Sequence, residues 1–172
     1  MTQGETYLLD TNVFIDAARR YYAFSLAPGF WTSLVAHAGS GHVRSIDRVK
    51  RELERGNDDV AMWSDTEFAG AFDPTDDARV FTVYTDIVEW IGRQERFLSE
   101  ARAEAAESAD SWLVAYAKVY GYAVVTHELP SPTSKKRVKL PDLCLAFRVP
   151  YVNPFEMLQR LGVRLVEAPR IG

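Results

Sequence analysis

The sequence predicts a three-layer α/β/α fold with a central, mainly parallel sheet. Short apolar runs such as Tyr7–Leu9 alternate with segments whose apolar residues recur at helical spacing. The first predicted strand is apolar without interruption, as expected where helices cover both faces of a parallel sheet. The stretch 57–108 is more polar and mostly helical in pattern, so a helix-rich middle segment is predicted.

The N-terminal half opens with a predicted strand, TYLLD, and a helix, NVFIDAARRYY. A second helix should begin near Pro28 and end at the glycines that follow. The short strand HVRSI leads into the helix DRVKRELERG, for which Asp47 is the expected N-cap. The motif DPTD predicts the start of a further helix, with Asp73 as cap and Pro74 in the first turn.

The C-terminal half contains a predicted helix, DSWLVAYAKVYG, that ends at Gly121 and feeds the buried strand YAVVTHE. A loop with three prolines and a basic run follows, and then the helix DLCLAFR and the strand VPYVN. Asn153 should cap the next helix, and VRLVEA suggests a last edge strand. No linker or repeat divides the sequence, so a single domain over residues 1–172 is expected.

Composition restricts the class of protein. The chain has 172 residues, 47% of them hydrophobic, a net charge of −4 and one cysteine, Cys144. An internal disulfide is therefore impossible, and neither a secretory signal nor an apolar run of about 18 residues is visible. These features predict a cytoplasmic protein without a membrane segment. The acidic balance argues only weakly against nucleic-acid binding, because the distribution of charge matters more than its sum.

Four acidic residues lie beside apolar segments that should bring them to one edge of the sheet. Asp10 ends the first strand, Glu128 follows the strand YAVVT, Asp110 begins the preceding helix, and Glu52 lies on the third helix. Ligands of open parallel sheets bind outside the carboxyl ends of the strands. Gathered carboxylates repel one another, and a divalent cation removes that repulsion. Oxygen ligands without cysteine or histidine favour Mg²⁺ or Mn²⁺ over zinc.

Each acid taken alone has an ordinary structural explanation. Asp10 and Asp110 are at positions where aspartate commonly caps a helix or occupies its first turn. Glu52 is in a charged helical stretch that water could solvate, and Glu128 is in a predicted loop. The hypothesis of a metal site therefore rests on the combination of the four acids in chain order.

Four segments together resemble the PIN-domain family: LLDTNVFIDA, VKREL, ADSWLVAYA and VVTHE. That family includes metal-dependent ribonucleases, among them toxins of bacterial toxin–antitoxin pairs. The resemblance covers nearly the whole chain. The stretch KKRVKLPDLC and the helical middle are similar to a less-studied branch of PIN-like proteins, with a Thr-x-Glu and a Lys-x-Pro-Asp pattern.

The resemblance implies a set of site residues. Asp10, Glu52 and Asp110 match the first three acids of the family, and Glu128 stands where the fourth is usually aspartate. Because glutamate is longer by a methylene, Asp142 could substitute for Glu128 or assist it as a metal ligand. Three neighbouring polar residues are expected to orient the carboxylates: Thr11, Asn12 and Thr126.

The implied activity is that of a Mg²⁺- or Mn²⁺-dependent endoribonuclease, with RNA as substrate and an antitoxin protein and a second copy of the chain as partners. Cationic residues between Glu128 and Asp142 are candidates for binding RNA phosphates: Lys135, Lys136, Arg137 and Lys139. A solvated loop is the equally open explanation of that run. Arg19 and Arg20 are second-rank candidates for phosphate contacts.

Two other interpretations compete with nuclease activity. A haloacid-dehalogenase-like phosphatase needs an acid two residues after the nucleophile, where this chain has Asn12, and a phosphorylated receiver domain expects an acidic pair near its start. A PIN fold that binds RNA or protein without efficient catalysis remains open, because Glu128 departs from the family pattern.

Overall fold

The protein has a five-stranded parallel sheet flanked by helices, as a computed structural model that describes residues 4–172 shows. The predicted three-layer α/β/α fold is confirmed. The strands are β1 Tyr7–Leu9, β2 Val43–Ile46, β3 Phe72–Asp73, β4 Ala123–Val125 and β5 Tyr151–Val152.

Nine α-helices accompany these strands within residues 4–172. They are α1 Thr11–Asp16, α2 Pro28–Gly39, α3 Asp47–Glu54, α4 Asp59–Thr66, α5 Ala78–Arg93, α6 Ser99–Glu107, α7 Ala109–Tyr120, α8 Leu140–Ala146 and α9 Pro154–Arg160. A π-helical turn, Ala17–Tyr21, continues α1, and a 3₁₀ turn, Ala69–Ala71, precedes β3.

The strand order is β3-β2-β1-β4-β5, and every neighbouring pair is parallel. The chain leaves β1 toward β2 on one side and later places β4 on the other side. The order of strands therefore reverses between β1 and β4, and a crevice forms outside their carboxyl ends, where ligands bind in folds of this kind.

Apolar burial stabilises the two neighbouring strands β1 and β4 and the helix α7, which directly precedes β4. Every residue of β1 and β4 is buried, and α7 is buried around most of its circumference because it packs against both α5 and α8. Gly121 ends α7 in the left-handed conformation, with a φ of 73°, as the sequence predicted. Asn153 also caps α9 as predicted, and its side chain accepts a hydrogen bond from Glu156 N at 2.8 Å.

Three details differ from the sequence predictions. Asp47 is the first residue of α3 rather than its cap, and its carboxylate accepts a hydrogen bond from Thr75 Oγ1 at 2.8 Å. Asp73 lies in β3 and pairs with Arg44, while Asp77 caps α5 by accepting from Arg79 N at 2.8 Å. The stretch 163–168 forms no strand, which leaves the two-residue β5 as the edge of the sheet.

The sequence predicts no membrane segment. None of the helices in the described part of the chain is long and apolar enough to cross a membrane.

Candidate active site

Asp10 lies at the crevice between β1 and β4. Its backbone N–H donates to Val125 O at 3.1 Å, which ties the end of β1 to the end of β4. The residue is only 3% exposed, and its Oδ2 accepts a hydrogen bond of 3.0 Å from Thr126 Oγ1. Asp10 occupies the N-cap position of α1, but the hydroxyl that holds its carboxylate belongs to Thr126, the residue directly after β4. The sheet therefore fixes both the backbone and the side chain of Asp10.

Glu52 reaches the same crevice from α3. Its Oε2 accepts a hydrogen bond from Thr11 Oγ1 at 2.6 Å, and its Oε1 accepts one from Ala109 N at 3.0 Å. The first of these donors begins α1 and the second begins α7. Glu52 thus connects the starts of two helices whose N-termini face the crevice, and their partial positive charges favour a carboxylate there.

Asp110, the second residue of α7, completes the group of acids. Burial raises the pKa of Asp110 well above its ordinary value, and the charges of Asp10, Glu128 and Glu52 raise it further. The positive charge of Arg137 opposes this rise. Asp110 therefore lies within electrostatic reach of all three other predicted acids.

A cavity of about 180 Å³ brings these side chains together. At ~30 Å³ per water molecule it has room for about six waters, enough for a hydrated ion or a phosphate group. Its lining consists of Asp10, Thr11, Asn12, Glu52, Ala101, Glu104, Ala105, Ser108, Asp110, Arg137 and Val138. Glu104, on α6, was not a predicted site residue, because ARAEAAESA carries only a pattern of high helix propensity.

The acids in this cavity destabilise one another as anions. Burial raises the pKa of Asp10 to about 7, and the charge of Glu128 is the next largest cause. Glu52 adds to this effect, whereas the Thr126 hydroxyl and the Asn12 backbone N–H oppose it. A carboxyl group with a pKa near neutrality is held partly protonated by its surroundings, and a positive charge in the cavity would stabilise its anion.

Glu128 does not line the cavity and already has two donors. Its Oε1 accepts from Arg137 Nη2 at 2.7 Å, and its Oε2 accepts from Leu140 N at 2.9 Å. Its side chain is 11% exposed. Leu140 N–H is the first free donor of α8, so Glu128 acts as an anion at that N-terminus.

Asp142 likewise serves the loop rather than the cavity. Its two carboxylate oxygens accept from Ser131 N at 3.2 and 3.0 Å, and the residue is 8% exposed. Asp142 is also absent from the lining of the cavity. The structure therefore brings Asp10, Glu52 and Asp110 together and leaves Glu128 and Asp142 outside.

The oxygen donors in the cavity are of the type that a hard divalent cation prefers. The cavity offers carboxylate, hydroxyl and amide oxygens, and each carboxylate can accept more bonds than it now does. Across residues 4–172, no three His, Cys, Asp or Glu side chains already stand in a metal-coordinating arrangement. Glu52 already accepts hydrogen bonds from Thr11 and Ala109, and each of its oxygens has a second lone pair that could face a cation.

The predicted basic run divides into two parts. Lys135 and Lys136 are exposed and Lys139 is half-buried, all outside the cavity lining, whereas Arg137 lines the cavity. Arg19 and Arg20 lie elsewhere, near Asp58 and Asp16 at 3.7 and 3.6 Å. Only one of the predicted phosphate-binding residues therefore reaches the acids.

The class that these features define is the PIN-like α/β/α fold. The solved structures that share this fold include the following two. FitAcB from Neisseria gonorrhoeae is 20% identical, with a TM-score of 0.54 over 87% of this chain and 99% of that chain. VapBC2 from Rickettsia felis, bound to a DNA fragment from its promoter, is 13% identical, with a TM-score of 0.51 over 86% and 98% of the two chains. At these identities the likeness concerns the fold.

Within that class, the chain belongs to the family described as Domain of unknown function (DUF4411), whose sequence model matches residues 7–165. Comparison with curated protein sequences finds no match.

Proposed function

We propose that the protein is a metal-dependent endoribonuclease and the toxin of a bacterial toxin–antitoxin pair. The observation that carries this proposal is the convergence of Asp10, Glu52 and Asp110 on one cavity at the crevice between β1 and β4. The PIN-like fold shared with FitAcB and VapBC2 supports the class of protein. The resemblance of the sequence motifs to PIN ribonucleases supports RNA as the substrate.

Asp10, Glu52 and Asp110 are the proposed holders of Mg²⁺ or Mn²⁺. Glu128 and Asp142 are left out of this set, because neither side chain lines the cavity. A bound ion would lower the pKa of a water molecule and stabilise charge on the phosphate. The pKa of Asp10, about 7, supports the proposal, because the crowded carboxyl groups favour a cation.

The surrounding residues orient the acids. Thr126 holds Asp10, while Thr11 and the Ala109 N–H hold Glu52, so both carboxylates have defined directions before substrate binds. Catalytic sites need such prior positioning. In this proposal Glu52 orients the attacking water, and Asn12, in the cavity lining, donates a hydrogen bond to a phosphate oxygen.

The substrate strand would approach across the basic run. Lys135 and Lys136 are exposed on the same loop as Arg137, where they can neutralise phosphates that flank the cavity. We include this loop in the RNA-binding surface together with Lys139. The proposed protein partner is an antitoxin that covers the cavity, and the proposed assembly is a homodimer. The Thr-x-Glu and Lys-x-Pro-Asp branch of PIN-like proteins is the proposed subfamily.

One observation favours the second candidate function, an RNA- or protein-binding module with weak catalysis or none. Arg137 places a positive charge beside the acids, and Glu128 is engaged by Arg137 and Leu140. In this second function, the Arg137 guanidinium would supply part of the positive charge that a metal ion supplies in a nuclease. RNA cleavage separates the two functions.

The test is cleavage of a panel of single-stranded and hairpin RNAs with Mg²⁺ or Mn²⁺. Wild-type protein should cleave at least one RNA, and Asp10→Asn and Asp110→Asn should each lower the rate at least a hundredfold. Asp86→Asn, at an exposed position on α5, is the matched control and should cleave like wild type. Equal cleavage by all four proteins would identify a contaminating nuclease and refute the proposal.

A further inference from the structure

Arg137 is the cationic member of the cavity. Among the lining residues within the described chain, it alone carries a positive charge, beside Asp10, Glu52, Glu104 and Asp110. Only its Nη2 has a protein acceptor in residues 4–172, so Nη1 and Nε remain able to donate. Arginine presents its donors in a planar fork that matches a phosphate group.

The backbone beside Arg137 is anchored. Leu98 N donates to Lys135 O at 2.9 Å, and Ser134 Oγ donates to Arg137 O at 2.8 Å. The next residue, Val138, is 5% exposed and packs in the core. The guanidinium therefore extends from a fixed point, whereas Lys135 and Lys136 of the same loop are exposed to solvent.

Glu128 fixes the other end of the side chain. Its Oε1 accepts from Arg137 Nη2 at 2.7 Å, while its Oε2 accepts from Leu140 N at the start of α8. Its backbone N–H donates to Thr126 Oγ1 at 3.1 Å, and that hydroxyl donates to Asp10. A short chain of hydrogen bonds thus relates the direction of the Arg137 guanidinium to the position of the Asp10 carboxylate.

We propose that Arg137 binds the RNA phosphate that enters the cavity, and that Glu128 is a positioning residue for Arg137 rather than a metal ligand. This inference rests on the proposed function for its substrate. It assigns the phosphate contact to one side chain of the basic run. It also gives Glu128 a role for which the side chain of aspartate, shorter by one methylene, would lack the reach.

The direct test measures binding of fluorescein-labelled decauridine in EDTA, which prevents metal-dependent cleavage. Arg137→Ala should weaken binding about tenfold, and the slope of log Kd against log salt should fall by about 0.7, as for one lost phosphate contact on a single strand. Arg137→Lys, which keeps the charge but not the planar fork, should recover only part of the affinity.

Arg160→Ala is the matched control. Its side chain is 45% exposed, against 46% for Arg137, and it also pairs with glutamate, at Glu156 and Glu5. Arg160 ends α9 and contacts Glu5, in the segment before β1. It therefore lies near the amino end of β1, whereas the cavity lies at the carboxyl end. Its replacement should leave RNA affinity within twofold of wild type. An equal loss of affinity from both arginine variants would mean that Arg137 contributes only a general charge effect, and it would overturn the proposal.

The role of Glu128 has a diagnostic sign. Removing a negative charge should strengthen RNA binding by simple electrostatics, whereas loss of a positioning residue should weaken it. Glu128→Gln should weaken decauridine binding severalfold, and it should not weaken binding in the Arg137→Ala background, where only the electrostatic effect remains. Mn²⁺ affinity should stay within threefold of wild type. Tighter RNA binding by Glu128→Gln, or a large loss of Mn²⁺ affinity, would refute the positioning role.

The outcomes distinguish this inference from the proposed function. Arg137-dependent RNA binding without any metal-dependent cleavage would count against the hydrolase alone. Cleavage with Arg137-independent binding would count against this inference alone. Failure of wild-type protein to bind decauridine at low salt would refute both the phosphate contact and an RNA-directed activity.

Discussion

Asp10 lies in an environment unlike that of an ordinary, solvated aspartate. Its backbone is tied to β4, its side chain is held by Thr126, and burial raises its pKa to about 7. An isolated buried carboxylate is costly, and functional sites often maintain such groups at the expense of stability. The cost should be measurable in the metal-free protein.

The stability of metal-free protein should therefore depend on Asp10 between pH 4 and pH 8. The folded-state pKa, about 7, lies above the ordinary value of 3.8, so between these values the folded chain binds a proton that the unfolded chain releases. The free energy of unfolding should fall as the pH rises through this range. Each unit of pKa difference corresponds to about 1.4 kcal/mol.

Asp10→Asn removes this ionisation and keeps an acceptor for the Thr126 hydroxyl. We expect the variant to be more stable than wild type at pH 8, by up to about 4 kcal/mol, and similar to wild type at pH 4. Urea denaturation in EDTA at both pH values measures the difference, with Asp86→Asn as the control. A variant that is less stable than wild type at pH 8 would contradict the inference that the ionised Asp10 carboxyl group destabilises the folded protein.

Glu128 and Asp142, the predicted acids that lie outside the cavity, stabilise the loop between β4 and α8. Asp142 holds Ser131 N from the first turn of α8, and Glu128 holds Leu140 N. Both carboxylates therefore stabilise the segment that carries Arg137. This arrangement predicts that Asp142 affects the order of the loop and leaves metal binding intact.

Asp142→Ala should loosen the loop at the Ser131 end. Trypsin, which cleaves after lysine and arginine, should cut after Lys135, Lys136 or Arg137 at least fivefold faster than in wild type, because Ser131 N loses its acceptor. Limited proteolysis followed by mass spectrometry measures the sites and rates. Mn²⁺ affinity should change less than twofold, and a tenfold loss would instead identify Asp142 as a ligand.

The sequence predicted the elements whose signals are local. Asn153 followed by proline marks the start of α9, and Gly121 marks the end of α7, because cap chemistry depends on adjacent residues. Asp73 does not cap α5 as predicted, because its partner, Arg44, is distant in sequence and becomes its neighbour only when β2 and β3 pair.

The candidate site shows the same division. Asp10, directly after the end of β1, and Asp110, at the start of α7, have local sequence signals, and both line the cavity. The contact between Arg137 and Glu128 could not be foreseen, because the direction of a loop side chain depends on distant anchors such as Leu98 N. Glu104 was also missed, since its position depends on how α6 packs.

At the scale of the whole molecule, β1 unites the two halves of the chain. It pairs with β2 from the N-terminal half and with β4 from the C-terminal half, and one hydrophobic core includes residues of both. We propose that residues 1–172 form a single domain. Opening either half would expose the buried face of β1, so the two halves should not unfold separately.

This proposal predicts one cooperative unfolding transition. Urea curves followed by far-ultraviolet circular dichroism and by tryptophan fluorescence should coincide, because the tryptophans report on packing in both halves, at Trp31 and Trp63 and at Trp112 of α7, while the dichroism reports on the helices of the whole chain. Two separated transitions would divide the chain into independently folding units and contradict the proposal.

The central claim is that the carboxylates of Asp10, Glu52 and Asp110 form a divalent-metal site at the crevice between β1 and β4. Isothermal titration calorimetry of Mn²⁺ into wild type, Asp10→Asn and Asp86→Asn at pH 8 tests it most directly. The account predicts Mn²⁺ binding by wild type and by Asp86→Asn, with at least a tenfold loss of affinity in Asp10→Asn. Equal Mn²⁺ affinity in all three proteins would contradict it.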